Sequence, residues 1–233
     1  MRCTRCGHEA TESDKYCAEC GMFLRDAYVD HRLLHAMAQE TEGKYRDARR
    51  ELERLVEADP DHVLANHLLG SVYYRQGTLD LAIQRYKKAL EMAPDFVECS
   101  YDLGVAYHHR GNMPRAIKAF RHCLEIDPNY NAAHYRLAAS SFHAGELDQA
   151  LEHFEKCRAL TPEYLMARYH IGIIYERRQD WDAAAREFQR CVDEEVEVAS
   201  SLYHLAQIYK LRGDDETAAT LLERARQFGR STS

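Results

Sequence analysis

Residues 63–96 read VLANHLLGSVYYRQGTLDLAIQRYKKALEMAPDF, and residues 97–130 read VECSYDLGVAYHHRGNMPRAIKAFRHCLEIDPNY. Laid one over the other, they agree at their punctuation. Leu69-Gly70 falls over Leu103-Gly104, Gly77 over Gly111, Ala82 over Ala116, Tyr86 over Phe120 and Pro94 over Pro128. The same register runs outward in both directions, since prolines stand at 60, 94, 128 and 162, each 34 residues after the last. With proline at position 32, six units span 29–62, 63–96, 97–130, 131–164, 165–198 and 199–232. A fixed period of this length predicts a stacked array whose units bury their apolar faces on one another.

Each column has a physical reason. Position 20 is Ala48, Ala82, Ala116, Ala150, Ala184 and Ala218, and position 8 is Ala36, Gly70, Gly104, Ala138, Gly172 and Ala206. Position 24 is always large: Leu52, Tyr86, Phe120, Phe154, Phe188 and Leu222. Positions 4, 7, 8 and 11 share one face of a first helix, and 20, 24 and 27 one face of a second. Small residues at 8 and 20 let the two axes approach, and the large residue at 24 fills what remains. Glycine at position 15, replaced only by Gln179, ends the first helix in a left-handed conformation. Proline at 32 stops the second helix.

This pattern resembles the tetratricopeptide repeat, carried by Leu69-Gly70, Tyr73, Ala82, Tyr86, Ala89 and Pro94 in the second unit and by Leu103-Gly104, Tyr107, Ala116, Phe120 and Pro128 in the third. The resemblance covers about residues 29–230; the fifth and sixth units carry Val196 and Arg230 in place of proline. It implies an all-α, right-handed superhelical solenoid of six helix-turn-helix repeats that holds other proteins. In arrays of this kind the first helices line a concave groove where peptides bind.

Residues 1–24 are read as a separate metal knot. Cys3-Thr4-Arg5-Cys6-Gly7 and Cys17-Ala18-Glu19-Cys20-Gly21 can place four thiolates, Cys3, Cys6, Cys17 and Cys20, around one tetrahedral ion. A glycine after each second cysteine suits a backbone that turns under the metal with positive φ. The segment resembles the short zinc ribbon that opens many bacterial proteins. Zinc in a closed four-cysteine site is structural, and rubredoxin-like iron uses similar pairs. Some twenty residues cannot build an adequate apolar core, so the metal would fold them. Met22, Phe23 and Leu24 follow the last ligand and are candidates to cap the first repeat; a protein contact is the other reading. The balanced charges of the segment disfavour nucleic acid.

On each first helix, positions 2, 5, 9, 12 and 13 turn away from the packing face. Position 5 is Leu33, His67, Tyr101, Tyr135, Tyr169 and Tyr203, a tyrosine ladder over four units. Tyr74, His108, His109, Arg136, Phe142, His143, His170, Arg177 and His204 complete an aromatic, mildly basic candidate site. Tyrosine suits recognition through area, few rotors and a polar tip; it also suits a packed seam between first helices. The histidines carry an expectation that affinity rises as they protonate below about pH 6.5. Cys123, Cys157 and Cys191 share position 27, and with Cys99 they read as buried, inert thiols. The residues by which related co-chaperones clamp the acidic C-terminus of heat-shock proteins are missing here, so that ligand is excluded.

Among 233 residues the net charge is −7, which argues against a general nucleic-acid binder. No apolar run approaches the ~18 residues of a membrane span, and no secretory signal is evident. Eight cysteines without such a signal fit a reducing, cytoplasmic setting. No phosphate loop, catalytic triad order or paired carboxylates point to an enzyme. The leading reading is a scaffold or adaptor that binds a protein or peptide segment. The alternatives are nucleic-acid association through the ribbon, and self-assembly through an exposed last-repeat face of Ala218, Leu222 and Ala225.

Overall fold

A computed structural model describes residues 6–9, 31–161 and 166–231. Twelve α-helices are found among them, in the pairs the period predicts. They are α1 His31–Thr41 with α2 Tyr45–Ala58, α3 Val63–Arg75 with α4 Leu79–Met92, and α5 Val97–His109 with α6 Met113–Ile126. The series continues with α7 Asn131–Ala144 and α8 Leu147–Leu160, α9 Met166–Arg177 and α10 Trp181–Asp193, and α11 Val198–Leu211 and α12 Asp215–Ser231. The chain forms two compact units, Met1–Ala133 and His134–Ser233.

The column logic is visible within both units. The position-20 alanines Ala48, Ala82, Ala116, Ala150 and Ala184 have no exposed surface, and Phe120, Phe154 and Phe188 have none either. A Cβ added to Gly104 would stand 2.5 Å from Phe120 Cε1, and one added to Gly70 would stand 2.6 Å from Tyr86 Cε1. Glycine at position 8 is therefore the gap into which the position-24 ring of the same repeat fits. Full burial of such a ring is worth roughly 1.5–3 kcal/mol, a large contribution to the second, third and fifth repeats, where position 8 is glycine.

The helix ends follow the sequence as well. Gly43, Gly77, Gly111, Gly145 and Gly213 all have φ between 75° and 83°, and Gln179 is forced to the same region at φ 61°. Asp59, Ala93, Asp127 and Thr161 each precede a proline and cap the second helices, their N–H groups bonded to Leu55, Ala89, Cys123 and Cys157 oxygens. Asp180 and Asp214 accept from the N–H groups of Ala183 and Thr217 at 3.0 Å and start α10 and α12. Where the fifth unit lacks proline, the turn uses left-handed Glu195 (φ 59°) and Glu197 (φ 45°).

Neighbouring repeats are tied by ion pairs from the end of one first helix to the preceding second helix. Arg110 reaches Asp80 at 2.8 Å in the first unit, and Arg178 reaches Asp148 and Arg212 reaches Asp182 in the second. Cys99, Cys123, Cys157 and Cys191 are all buried. Burial pushes the Cys123 thiol up to about 12 and the Cys191 thiol to about 11, so both stay protonated at neutral pH. One expectation is corrected here. Ala218 is buried, and Leu222 and Ala225 pack on the core of the second unit with Phe188 and Leu205. The large apolar side chains exposed in the last repeat, among the described residues, are Tyr203, Leu211 and Phe228.

Candidate functional site

Helical periodicity places positions 5 and 6 of each first helix at its border with the next, and the side chains there meet across successive repeats. In the first unit His67 Nε2 lies 2.8 Å from Asp102 Oδ2. In the second, Tyr135 Oη lies 3.0 Å from His170 Nε2, and Tyr169 Oη 3.3 Å from His204 Nε2. Both histidines lie flat on a core ring, His170 on Phe154 at 5.0 Å and His204 on Phe188 at 4.7 Å. Tyr101, Tyr135 and Tyr169 in turn meet Phe120, Phe154 and Phe188 with centroids 5.5–5.9 Å apart. The tyrosine ladder is thus a seam over the cores, half-buried at Tyr101, Tyr135 and Tyr169. Tyr203, edge-on to His204 at 6.0 Å, is the most open of the four, 51% exposed.

A second line of contacts runs along positions 12 and 13. Tyr74 packs its edge on His109 at 5.5 Å, and His108 lies 5.9 Å from His109. In the second unit the Arg177 guanidinium sits 4.0 Å over the Phe142 ring, with exposed His143 beside Phe142 at 5.8 Å. Arg136 is partly exposed on the same helix face as Tyr135. The α7, α9 and α11 face therefore has a tyrosine side, a side of Phe142, His143, Arg177 and Lys210, and a strip of partly exposed Ala139, Ile173 and Gln207 at position 9 between them.

The electrostatics of this face differ from the sequence reading at His170. Burial, reinforced by nearby His143 and opposed by Glu197, lowers its pKa below the ordinary imidazole value. A general rise in affinity through protonation of these histidines is opposed at His170. In the first unit burial raises the Glu40 carboxyl against the pull of Arg75, 3.5 Å away, and of His67. Sequence reasoning missed Glu40 and Asp102, because their positions alone carried no signal of a partner 35 residues away. It also missed His134 and His153, whose Nδ1 atoms lie 2.9 Å apart on α7 and α8.

The expected metal ligands Cys3, Cys17 and Cys20, and the capping candidates Met22, Phe23 and Leu24, lie outside the described residues. Cys6 is exposed, and Gly7 directly after it has φ 79°. Among the described residues no three histidine, cysteine or acidic side chains gather as a metal site, and no described helix is long and apolar enough to cross a membrane.

Comparison with known proteins agrees with this architecture. No curated protein matches the chain. MamA, a solved structure, is 28% identical over 69% of this chain and 94% of its own, with a TM-score of 0.67. YrrB, described as a tetratricopeptide repeat protein with an unusual peptide-binding site, is 19% identical over 71% of this chain and 86% of its own, with a TM-score of 0.66. A tetratricopeptide repeat protein from Parabacteroides merdae is 18% identical over 85% of this chain and 78% of its own, with a TM-score of 0.72. At such identities the last two show likeness of fold alone. Two family models, both described as tetratricopeptide repeat, match residues 33–95 and 169–231, and 73–140 and 109–168. The chain belongs to the tetratricopeptide repeat family.

Proposed function

We propose that this protein is a non-catalytic cytoplasmic scaffold that holds a segment of a partner protein on its first-helix face. The observation that carries the reading is the face of α7, α9 and α11. Its tyrosines and histidines are held rigid by seam hydrogen bonds and ring stacking, while Tyr203, His143 and Arg177 stay open to solvent. Rigid aromatic and arginine side chains on an exposed strip are the composition of binding hot spots, since little rotamer entropy is lost on contact. The likeness to YrrB, itself described by its peptide-binding site, supports the same reading.

Affinity capture from native lysate tests it, using the unmodified chain and a Tyr203→Ala/His143→Ala form, both positions being exposed. Loss of the same partner from the double variant is the expected result. Retention of every partner at wild-type yield would contradict a role for this face.

Residues 1–24 are proposed to be a zinc ribbon held by Cys3, Cys6, Cys17 and Cys20, serving as a cap or second contact. Support comes from the soft four-thiolate donor set, which suits a closed structural site, and from positive φ at Gly7, where a metal knuckle would demand it. Metal analysis of purified protein should find about one zinc per chain, absent from Cys17→Ser/Cys20→Ser. Iron in its place would correct the metal, and no metal would remove the ribbon.

A further inference from the structure

The cations of the second unit fall into two groups. Lys156, Arg158, Arg168, Arg178, Arg190, Arg212 and Arg226 each sit on a carboxylate, respectively Glu152, Glu155, Glu194, Asp148, Glu187, Asp182 and Glu223. Arg136, Arg177 and Lys210, all on the first-helix face, have no carboxylate within 4.0 Å among the described residues. Arg186 and Arg224 share this condition, but on the second helices α10 and α12. Glu176, also on α9, lies 2.8 Å from His204 Nδ1. Glu197 acts on Tyr169 and His170 from the start of α11, whereas Arg177 and Lys210 stand at the far ends of α9 and α11.

Arg177 is further prepared for a ligand. Its guanidinium carbon sits 4.0 Å over the Phe142 ring while the residue as a whole stays exposed, a contact that restricts the side chain ahead of any ligand. Beside these cations run Ala139, Ile173 and Gln207, a partly exposed strip with no charge. The corresponding positions of the first unit carry carboxylates that already have cationic or imidazole partners, Glu40 beside Arg75 at 3.5 Å and Asp102 on His67 at 2.8 Å.

We propose that the face of α7, α9 and α11 takes an acidic peptide segment of a partner protein, its apolar side chains on Ala139, Ile173 and Gln207 and its Asp or Glu carboxylates on Arg136, Arg177 and Lys210. This rests on the scaffold reading above and adds the chemistry of the occupant. Bidentate arginine–carboxylate contacts set the register of the segment.

A random dodecapeptide display library panned against the full chain tests the proposal. The same library is panned against Arg136→Gln/Arg177→Gln/Lys210→Gln, against Lys210→Glu alone, and against Tyr203→Ala. The expected result is a consensus rich in Asp and Glu on the unmodified chain. Synthetic consensus peptide should bind the triple variant about tenfold or more weakly, and Lys210→Glu should also weaken it. A neutral or basic consensus, or an acidic one bound equally by the triple variant, overturns the acidic assignment. If such peptides are still lost on Tyr203→Ala, the scaffold reading stands without it. Enrichment of no peptide at all overturns both.

Discussion

Gln179 occupies the one position-15 site without glycine, and its φ of 61° is a conformation that costs a side-chain-bearing residue roughly 1–2 kcal/mol. Gln179→Gly should therefore stabilise the second unit by about 1 kcal/mol in urea unfolding, offset in part by the greater freedom of glycine in the unfolded chain. No gain would mean that the glutamine side chain compensates locally. The opposite substitution is instructive at position 8. Gly104→Ala sets a methyl 2.5 Å from the Phe120 ring, a fully buried side chain with nowhere to retreat, and should cost roughly 1–3 kcal/mol. These sites were legible in the sequence because backbone sign and helix spacing each admit few residue types. Tyr135 was not, since the same tyrosine serves a seam or a ligand equally well.

Between first helices, His170 Nε2 and the Tyr135 hydroxyl form a hydrogen-bonded pair 3.0 Å apart, with the imidazole lying on Phe154. Its pKa is lowered in the folded state by burial, so the unfolded chain binds a proton that the folded one refuses. The stability tied to this ring is complete above its ordinary value of 6.5 and declines as the pH falls through and below it. His170→Gln should flatten that decline when urea midpoints are compared between pH 7.5 and pH 5; an unchanged slope would place the pH response elsewhere. Tyr135→Phe removes only the hydroxyl and should cost about 1 kcal/mol while leaving the ring packed. The sequence showed histidines at position 6 but not their seam partners, which lie 35 residues earlier and follow from the stacking geometry of adjacent repeats.

For the molecule as a whole, the series of helix pairs could be read from the 34-residue period because each repeat solves the same packing problem. Surface chemistry has no such redundancy. Arg136 and Arg178 look alike in sequence, yet Arg178 is held by Asp148 and Arg136 has no carboxylate beside it among the described residues. If residues 1–24 fold around zinc independently of the repeats, a strong chelator should abolish metal content while helical circular dichroism changes little. A collapse of helicity would instead make the ribbon part of the repeat core. The central claim is that partners sit on the first helices. Photo-crosslinking with benzoylphenylalanine at Tyr203 or His143, against the same probe at Arg186 or Arg224 on the second helices, tests it most directly. Partner adducts from 203 and 143 alone are the expected result; adducts from 186 or 224, with none from 203 and 143, would contradict it.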